Sequence, residues 1–433
     1  MSQPAATALL TDHYELTMVD GALRSGAAQR RCVFEVFARS LPGRRRYGVV
    51  AGLGRLLAQL PGFRFDEAAL EFLAARGVID AATCDWLSEY RFRGSIDAYG
   101  EGEVYFPSSP VLTVEGSFAD CVVLETLVLS ILNHDSAVAT AAARMVGAAG
   151  SRPCIEMGSR RTHEQAAVAS ARAAYIAGFT ATSNLAAGFD WAVPTVGTAA
   201  HAFTLVHDDE RTAFAAQVET LGPDTTLLVD TYDVTEGIRT AVEVAGASLG
   251  AIRLDSGDLL QQAHDARRLL DELGAHDTRI VVTSDLDEFA IAALASAPVD
   301  GYGIGTSVAT GSRVPTAGFV YKLVEYCDES GQPHSAEKRS AGKKSTGGRK
   351  YAVRRRDARR IATEERIGVH GRPERRADDR DLQLPAVREG EVVLSEPVDA
   401  ARERCRSAIA ELPAEASKLS EGDPVIPTVL EVR

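Results

Sequence analysis

The densest chemistry in the sequence lies in Arg253-Leu254-Asp255-Ser256-Gly257-Asp258, which puts a cation, two carboxylates and a flexible glycine side by side. Paired acids at that spacing can hold Mg2+ through its waters or steady positive charge on a sugar. The plainer use is helix capping, with Asp255 or Ser256 as N-cap and Asp258 in the first turn. The two uses are compatible, one aspartate capping while another faces a site. Gly303-Ile304-Gly305-Thr306-Ser307 can bring backbone N–H groups up to an anion at a helix start, although a GxG turn is more often only a tight turn. His201 has no Ser or Cys nucleophile beside it, so triad chemistry is unsupported, and a lone histidine is more often structural than catalytic. Arg160 and Arg161 are adjacent and should point in different directions, one free to fork onto a carboxylate while the other is solvated. The basic run from Lys338 to Lys350 reads as a solvated loop, or, through its glycines and serine, as a clamp over a polyphosphate.

These residues need a scaffold that brings them together. Beyond Pro153 short apolar strands alternate with polar, often Gly-bearing turns and amphipathic helices. The strand ends read Glu156–Arg161, Thr182-Ser183-Asn184, Gly197–His201, Asp230–Asp233, Arg253–Asp258, Thr283-Ser284-Asp285 and Gly303–Thr306. Seven such units in so short a span predict an irregular parallel α/β barrel over 151–326, with chemistry collected where the strand ends converge. An open doubly wound sheet is the alternative. Residues 1–150 mix strands such as Cys32–Phe37 and Val111–Val114 with helices, the pattern of an N-terminal α+β domain ending in a helix from about Cys121 to Ala149. Residues 327–433 turn polar and basic before strands return over Leu382–Leu394. We expect this segment to complete the N-terminal domain or to form a small third one.

Composition narrows the chemistry. A formal net charge of −13 argues against a nucleic-acid binder, so any phosphate must be met by local cations. The six cysteines form no CxxC pair, which signals neither a zinc site nor a disulfide framework. The N-terminus lacks the pattern of a secretory leader, and the apolar run Cys121–Leu132 is interrupted by Glu125 and too short to span a bilayer; a cytoplasmic protein without a membrane partner is expected. All six lysines, Lys322, Lys338, Lys343, Lys344, Lys350 and Lys418, lie in about the last quarter of the chain, from position 322 onward, so no Schiff-base lysine sits on the barrel strands before Lys322.

Taken together, Thr11-Asp12-His13-Tyr14-Glu15-Leu16-Thr17-Met18, Gly158-Ser159-Arg160-Arg161, Gly197-Thr198-Ala199-Ala200-His201, Arg253–Asp258, Gly303-Ile304-Gly305-Thr306 and Lys338-Arg339-Ser340-Ala341-Gly342-Lys343 resemble the nicotinate phosphoribosyltransferase family. That family belongs to the type II phosphoribosyltransferases, with the nicotinamide and quinolinate enzymes. The resemblance implies ATP-coupled synthesis of nicotinate mononucleotide from nicotinate and phosphoribosyl pyrophosphate, with Mg2+, in NAD biosynthesis, by a homodimer with a shared active site. It implies that ATP phosphorylates His201 and that Tyr14, supplied by the partner subunit, stacks on the pyridine ring. Arg160 corresponds to the arginine near the pyridine carboxylate, and Arg253 and Asp255 to residues around ring and ribose. Ser284, Asp285, Gly303, Gly305 and Thr306 fall where the ribose phosphate and hydroxyls are held, with Lys343 of the C-terminal signature among the phosphate contacts.

Two positions bear on substrate choice. Relatives often have an aromatic residue where this chain has Met157, whose thioether packs more softly on a ring. The nicotinamide enzyme has an aspartate at the position of Ser183; a carboxylate there would repel nicotinate, so its absence favours the acid. Quinolinate enzymes need extra cations, lysine included, for a second carboxylate. Other readings are a sugar-phosphate lyase or isomerase on the same barrel, without a Schiff-base lysine or a His cluster to support it, and a silent nucleotide-binding protein.

Overall fold

Six short parallel strands carry the turns singled out above: β1 (Cys154–Glu156), β2 (Ala181–Thr182), β3 (Thr226–Leu228), β4 (Ala251–Leu254), β5 (Arg279–Val282) and β6 (Gly301–Ile304). The computed structural model describes residues 7–338 and 346–432. The strands pair in the order β2-β1-β6-β5-β4-β3, a curled parallel sheet in an α/β unit that spans Ala141–Arg313. Ile252, Leu254, Ile280, Val282 and Ile304 are almost wholly buried, the continuous apolar pattern of strands covered on both faces. Helices such as Leu259–Glu272 cover the sheet, turning Ala263, Ala266, Leu269 and Leu270 inward at helical spacing.

Two details differ from the expectation. The unit before His201 is not a strand; the chain there touches the edge of β2 through a single bridge, Thr182 to Thr195, so the sheet has six strands and one bridge rather than seven strands. The cap of helix Leu259–Glu272 is Asp258 itself, whose carboxylate accepts the Gln261 N–H. Capping therefore falls to the later aspartate and leaves Asp255 for the strand end.

The second unit joins Met1–Thr140 to Val314–Arg433. Its seven-stranded antiparallel sheet runs in the order Pro333–Ser335, Phe319–Cys327, Arg31–Ala38, Leu112–Ser117, Ser95–Tyr99, Gln383–Arg388, Glu391–Val392. Its large apolar core includes Phe34, Val36, Leu56, Val114 and Leu127. Of the basic run from Lys338 to Lys350, residues 339–345 lie outside the described residues, and Lys350 opens a strand, Lys350–Arg356. Lys350 is buried on Glu35 at 2.6 Å, and the fully buried Arg354 pairs with Glu365 at 2.7 Å. Burying a cation is tolerable only where a carboxylate meets it, and both partners come from other strands. The helical stretch Phe118–Ala149 is apolar and long enough to cross a membrane by composition, but 67% of its most apolar window is buried, as in a core helix.

Candidate active site

At the C-terminal ends of the parallel strands a pocket of about 210 Å³ is lined by Met157, Arg160, Arg161, Arg253, Asp255, Thr283, Ser284, Asp285, Gly303 and Gly305. The lining comes from the ends of β1, β4, β5 and β6, which pairing order sets side by side. A larger cavity, about 600 Å³, lies in the other unit around Arg349, Arg372 and Arg388. There Asp97 and Asp381 already neutralise the arginines, so size is a poor guide to chemistry.

The strand-end pocket is different because its cations are uncommitted. Arg160, Arg161 and Arg253 take part in no ion pair among the described residues. The Arg253 Nε is buried without a hydrogen-bond partner. Burial lowers the pKa of Arg253, Asp255 and Asp230 raise it, and Arg160 lowers it. Three guanidinium groups around one hollow, one of them desolvated and short of an acceptor, make a receptor for a multiply charged anion. Arg160 and Arg161 both line the pocket and are exposed at its rim.

Asp255 is fixed from two sides, by the Thr283 hydroxyl on its carboxylate and through its own N–H, which donates to Asp230 Oδ2 at 2.9 Å. Asp230, at the end of β3 and with a side chain 1% exposed, is the junction of the site. Its Oδ2 also accepts the Ser256 hydroxyl at 2.9 Å, and its Oδ1 faces His201 Nε2 at 3.2 Å. His201 is the first residue of the short helix His201–Leu205 and is not among the residues lining the pocket; Asp230 ties it to the Asp255 turn. Nothing in the sequence distinguishes Asp230 from the other aspartates after strands. Its role appears only from the pairing of β3 with β4.

The glycines act by leaving room. A side chain at Gly303 would lie 2.5 Å from Thr283 Cγ2 and 2.7 Å from Met157 Sδ, so glycine there keeps the pocket floor open. Thr306 begins a helix of four residues, Thr306–Ala309, so the turn offers backbone N–H groups rather than a helix dipole. Ser284 sits at φ 125°, a region that L residues rarely adopt, and backbone strain of this kind concentrates where function needs a particular geometry. Ser183 is exposed just beyond β2, and its N–H donates to the Glu156 carbonyl at 2.8 Å. Tyr14 belongs to the other unit, where it is 45% exposed on helix His13–Ser25; burial first, then the charge of Glu125, pushes its pKa up to about 12. Lys343 lies outside the described residues.

Residues 9–133 match the family model of the nicotinate phosphoribosyltransferase (NAPRTase) N-terminal domain. The chain is 61% identical over 429 residues to nicotinate phosphoribosyltransferase pncB1 of Mycobacterium tuberculosis, covering 97% of this chain and 94% of the relative. Among solved structures, human nicotinic acid phosphoribosyltransferase superposes with a TM-score of 0.81 at 26% identity, covering 98% of this chain and 97% of that one. A nicotinate-nucleotide pyrophosphorylase from Pyrococcus furiosus does so with a TM-score of 0.77 at 25% identity, covering 93% and 95%.

Proposed function

The chain belongs to the nicotinate phosphoribosyltransferase family, and from that membership we propose how its own residues divide the work of joining nicotinate to phosphoribosyl pyrophosphate. The observation that carries the reading is the set of uncommitted arginines around the strand-end pocket. Arg160 takes the nicotinate carboxylate through a bidentate fork, and Met157 packs against the ring. Arg161 and Arg253 meet phosphate oxygens, together with the Ser284–Asp285 turn and the Gly303–Thr306 turn.

The pyridine nitrogen carries a free lone pair at neutral pH, so the bond-forming step requires no general base. The lone pair attacks the anomeric carbon, the carbon–oxygen bond to diphosphate breaks, and diphosphate leaves with both electrons. Asp255, held by Thr283 and Asp230, supports positive charge developing on the ribose. Among the described residues no cluster of three His, Cys, Asp or Glu side chains suits a metal, so a magnesium ion would come with the diphosphate, its waters within reach of Asp255 and Asp285. Its chemistry would be to offset the charge of the leaving group.

His201 serves the coupling to ATP. A carboxylate only accepts, so the contact with Asp230 Oδ1 requires a proton on Nε2 and leaves the Nδ1 lone pair free. Nδ1 attacks the γ-phosphorus, ADP leaves, and water later releases phosphate. A second copy of the chain completes the site by supplying Tyr14 to the ring. Leu185, Phe189, Val206 and Tyr232, between 62% and 92% exposed on the catalytic unit, provide apolar surface for that partner to cover.

The test is to incubate the protein with nicotinate or nicotinamide, phosphoribosyl pyrophosphate, Mg2+ and ATP and identify the products. Nicotinate mononucleotide is expected, with His201→Ala keeping slow ATP-independent turnover and losing ATP stimulation; full stimulation in that variant refutes the role of His201. Mixing Tyr14→Ala with His201→Ala, neither of which shows ATP-stimulated synthesis alone, should restore ATP-stimulated synthesis at about a quarter of the sites if the site is shared between subunits.

A further inference from the structure

Four of the six parallel strands end on a buried aliphatic side chain, Leu228, Leu254, Val282 and Ile304. β1 and β2 instead end on Glu156 and Thr182, both 0% exposed and bonded to each other, the Thr182 hydroxyl donating to Glu156 Oε2 at 2.5 Å. The other carboxylate oxygen accepts the Gly158 N–H at 2.5 Å. Among the described residues Glu156 has no ion-pair partner, and burial pushes its carboxyl above the ordinary range while the two hydrogen bonds pull it back. A buried carboxylate without a cation is costly, and an aliphatic residue would fill this position as it does in the neighbouring strands.

What the carboxylate provides is alignment. Gly158 opens the turn that carries Arg160, with the Arg161 N–H closing back on the Gly158 carbonyl at 2.8 Å. Thr182 precedes Ser183, whose N–H reaches the Glu156 carbonyl. Gly158 is also wedged against the β6 turn: a side chain there would lie 2.7 Å from Glu156 Oε1, 2.8 Å from Ala309 Cβ and 3.0 Å from the Gly305 carbonyl oxygen. One side chain thus ties the ends of β1 and β2 where the β6 turn packs on them.

We propose that Glu156 is a positioning residue that, through Thr182 and Gly158, sets the separation of Arg160 from Ser183 and thereby the preference for nicotinate over nicotinamide. The inference rests on the assignment of Arg160 to the pyridine carboxylate made above. Thr182→Val keeps the shape of the side chain and removes the hydrogen bond donated to Glu156, together with the one that the hydroxyl accepts from the Asn184 N–H at 3.0 Å. It should raise KM for nicotinate about tenfold, the scale of one hydrogen bond to a charged group, and lower the nicotinate-to-nicotinamide ratio of kcat/KM. KM for phosphoribosyl pyrophosphate should stay within about twofold. Thr182→Ser should restore wild-type values. Glu156→Gln, which keeps an acceptor for Gly158 and turns a donor toward Thr182, should fall between. The inference is overturned if folded Thr182→Val leaves both KM values unchanged, or if both rise together while kcat falls, as general loosening would produce. Arg160→Ala separates the two levels: if it leaves the nicotinate KM unchanged, the assignment of the site fails and this inference with it. If Arg160→Ala raises that KM and Thr182→Val does not, only this inference fails.

Discussion

Replacing Asp230 with asparagine should cut the coupling between ATP and nucleotide synthesis while sparing the glycosyl transfer. The two carboxylate oxygens have separate partners: Oδ2 accepts the Asp255 N–H and the Ser256 hydroxyl, each at 2.9 Å, and Oδ1 faces His201 Nε2 at 3.2 Å. Asparagine can set its oxygen in the Oδ2 position and keep the Asp255 turn, which places its NH2 against the histidine. A donor now meets a donor, so the imidazole must move its proton to Nδ1 and loses the lone pair that attacks ATP. The loss is one charge-assisted hydrogen bond, about 1.5–3 kcal/mol, or about 10- to 150-fold at 1.4 kcal/mol per decade. Rapid-quench measurement of γ-labelled phosphate transferred to protein reads the coupling step, and nucleotide formation without ATP reads the transfer. Phosphorylation at the wild-type rate in a folded Asp230→Asn protein would refute the role of Asp230. An equal fall in ATP-independent turnover would show that the Asp255 turn, not the histidine, had been disturbed.

The buried Glu15 accepts from Thr11 and from the N–H and hydroxyl of Thr126, and burial raises its carboxyl from 4.5 to about 7. A carboxyl raised in the fold contributes stability that is present below its unfolded value and lost as pH rises through about 7. Glu15→Gln should therefore match the wild type in acid and exceed it by about 1–3 kcal/mol at alkaline pH in urea melts; equal stability across that range would contradict the assignment. At Ser284, φ 125° predicts that Ser284→Val costs about 1–3 kcal/mol whereas Ser284→Gly is nearly neutral, and equal melting temperatures for the two variants would remove the claim of strain. Gly303→Ala would drive a methyl into Thr283 and Met157, with an expected cost of about 1–3 kcal/mol and loss of turnover; an active variant of unchanged stability would show that the pocket floor yields.

The alternation of apolar strands with Gly-bearing polar turns was readable because it is a pattern of neighbours. Such a pattern distinguishes parallel α/β structure and marks the strand ends at Glu156, Thr182, Leu254, Val282 and Ile304. It failed where the cue was ambiguous: the stretch before His201 looks like a strand end but makes a single bridge, and Lys350, the last residue of a run that reads as a solvated loop, opens a strand. The fate of Arg354 depends on Glu365 and that of Lys350 on Glu35, partners supplied by strands that no local window joins.

By itself the sequence determined the parallel α/β plan, the identity of the turns that carry Arg160, Asp255 and Gly305, and the family resemblance those turns spell out. Only the tertiary structure decided that Asp258 caps while Asp255 faces the pocket, that Asp230 links His201 to the Asp255 turn, and that Glu156 binds two strand ends together. The reason is that hydrophobic period and turn chemistry act between near neighbours along the chain. Hydrogen bonds between strand ends depend on pairing order and register, which the packing of the whole sheet sets.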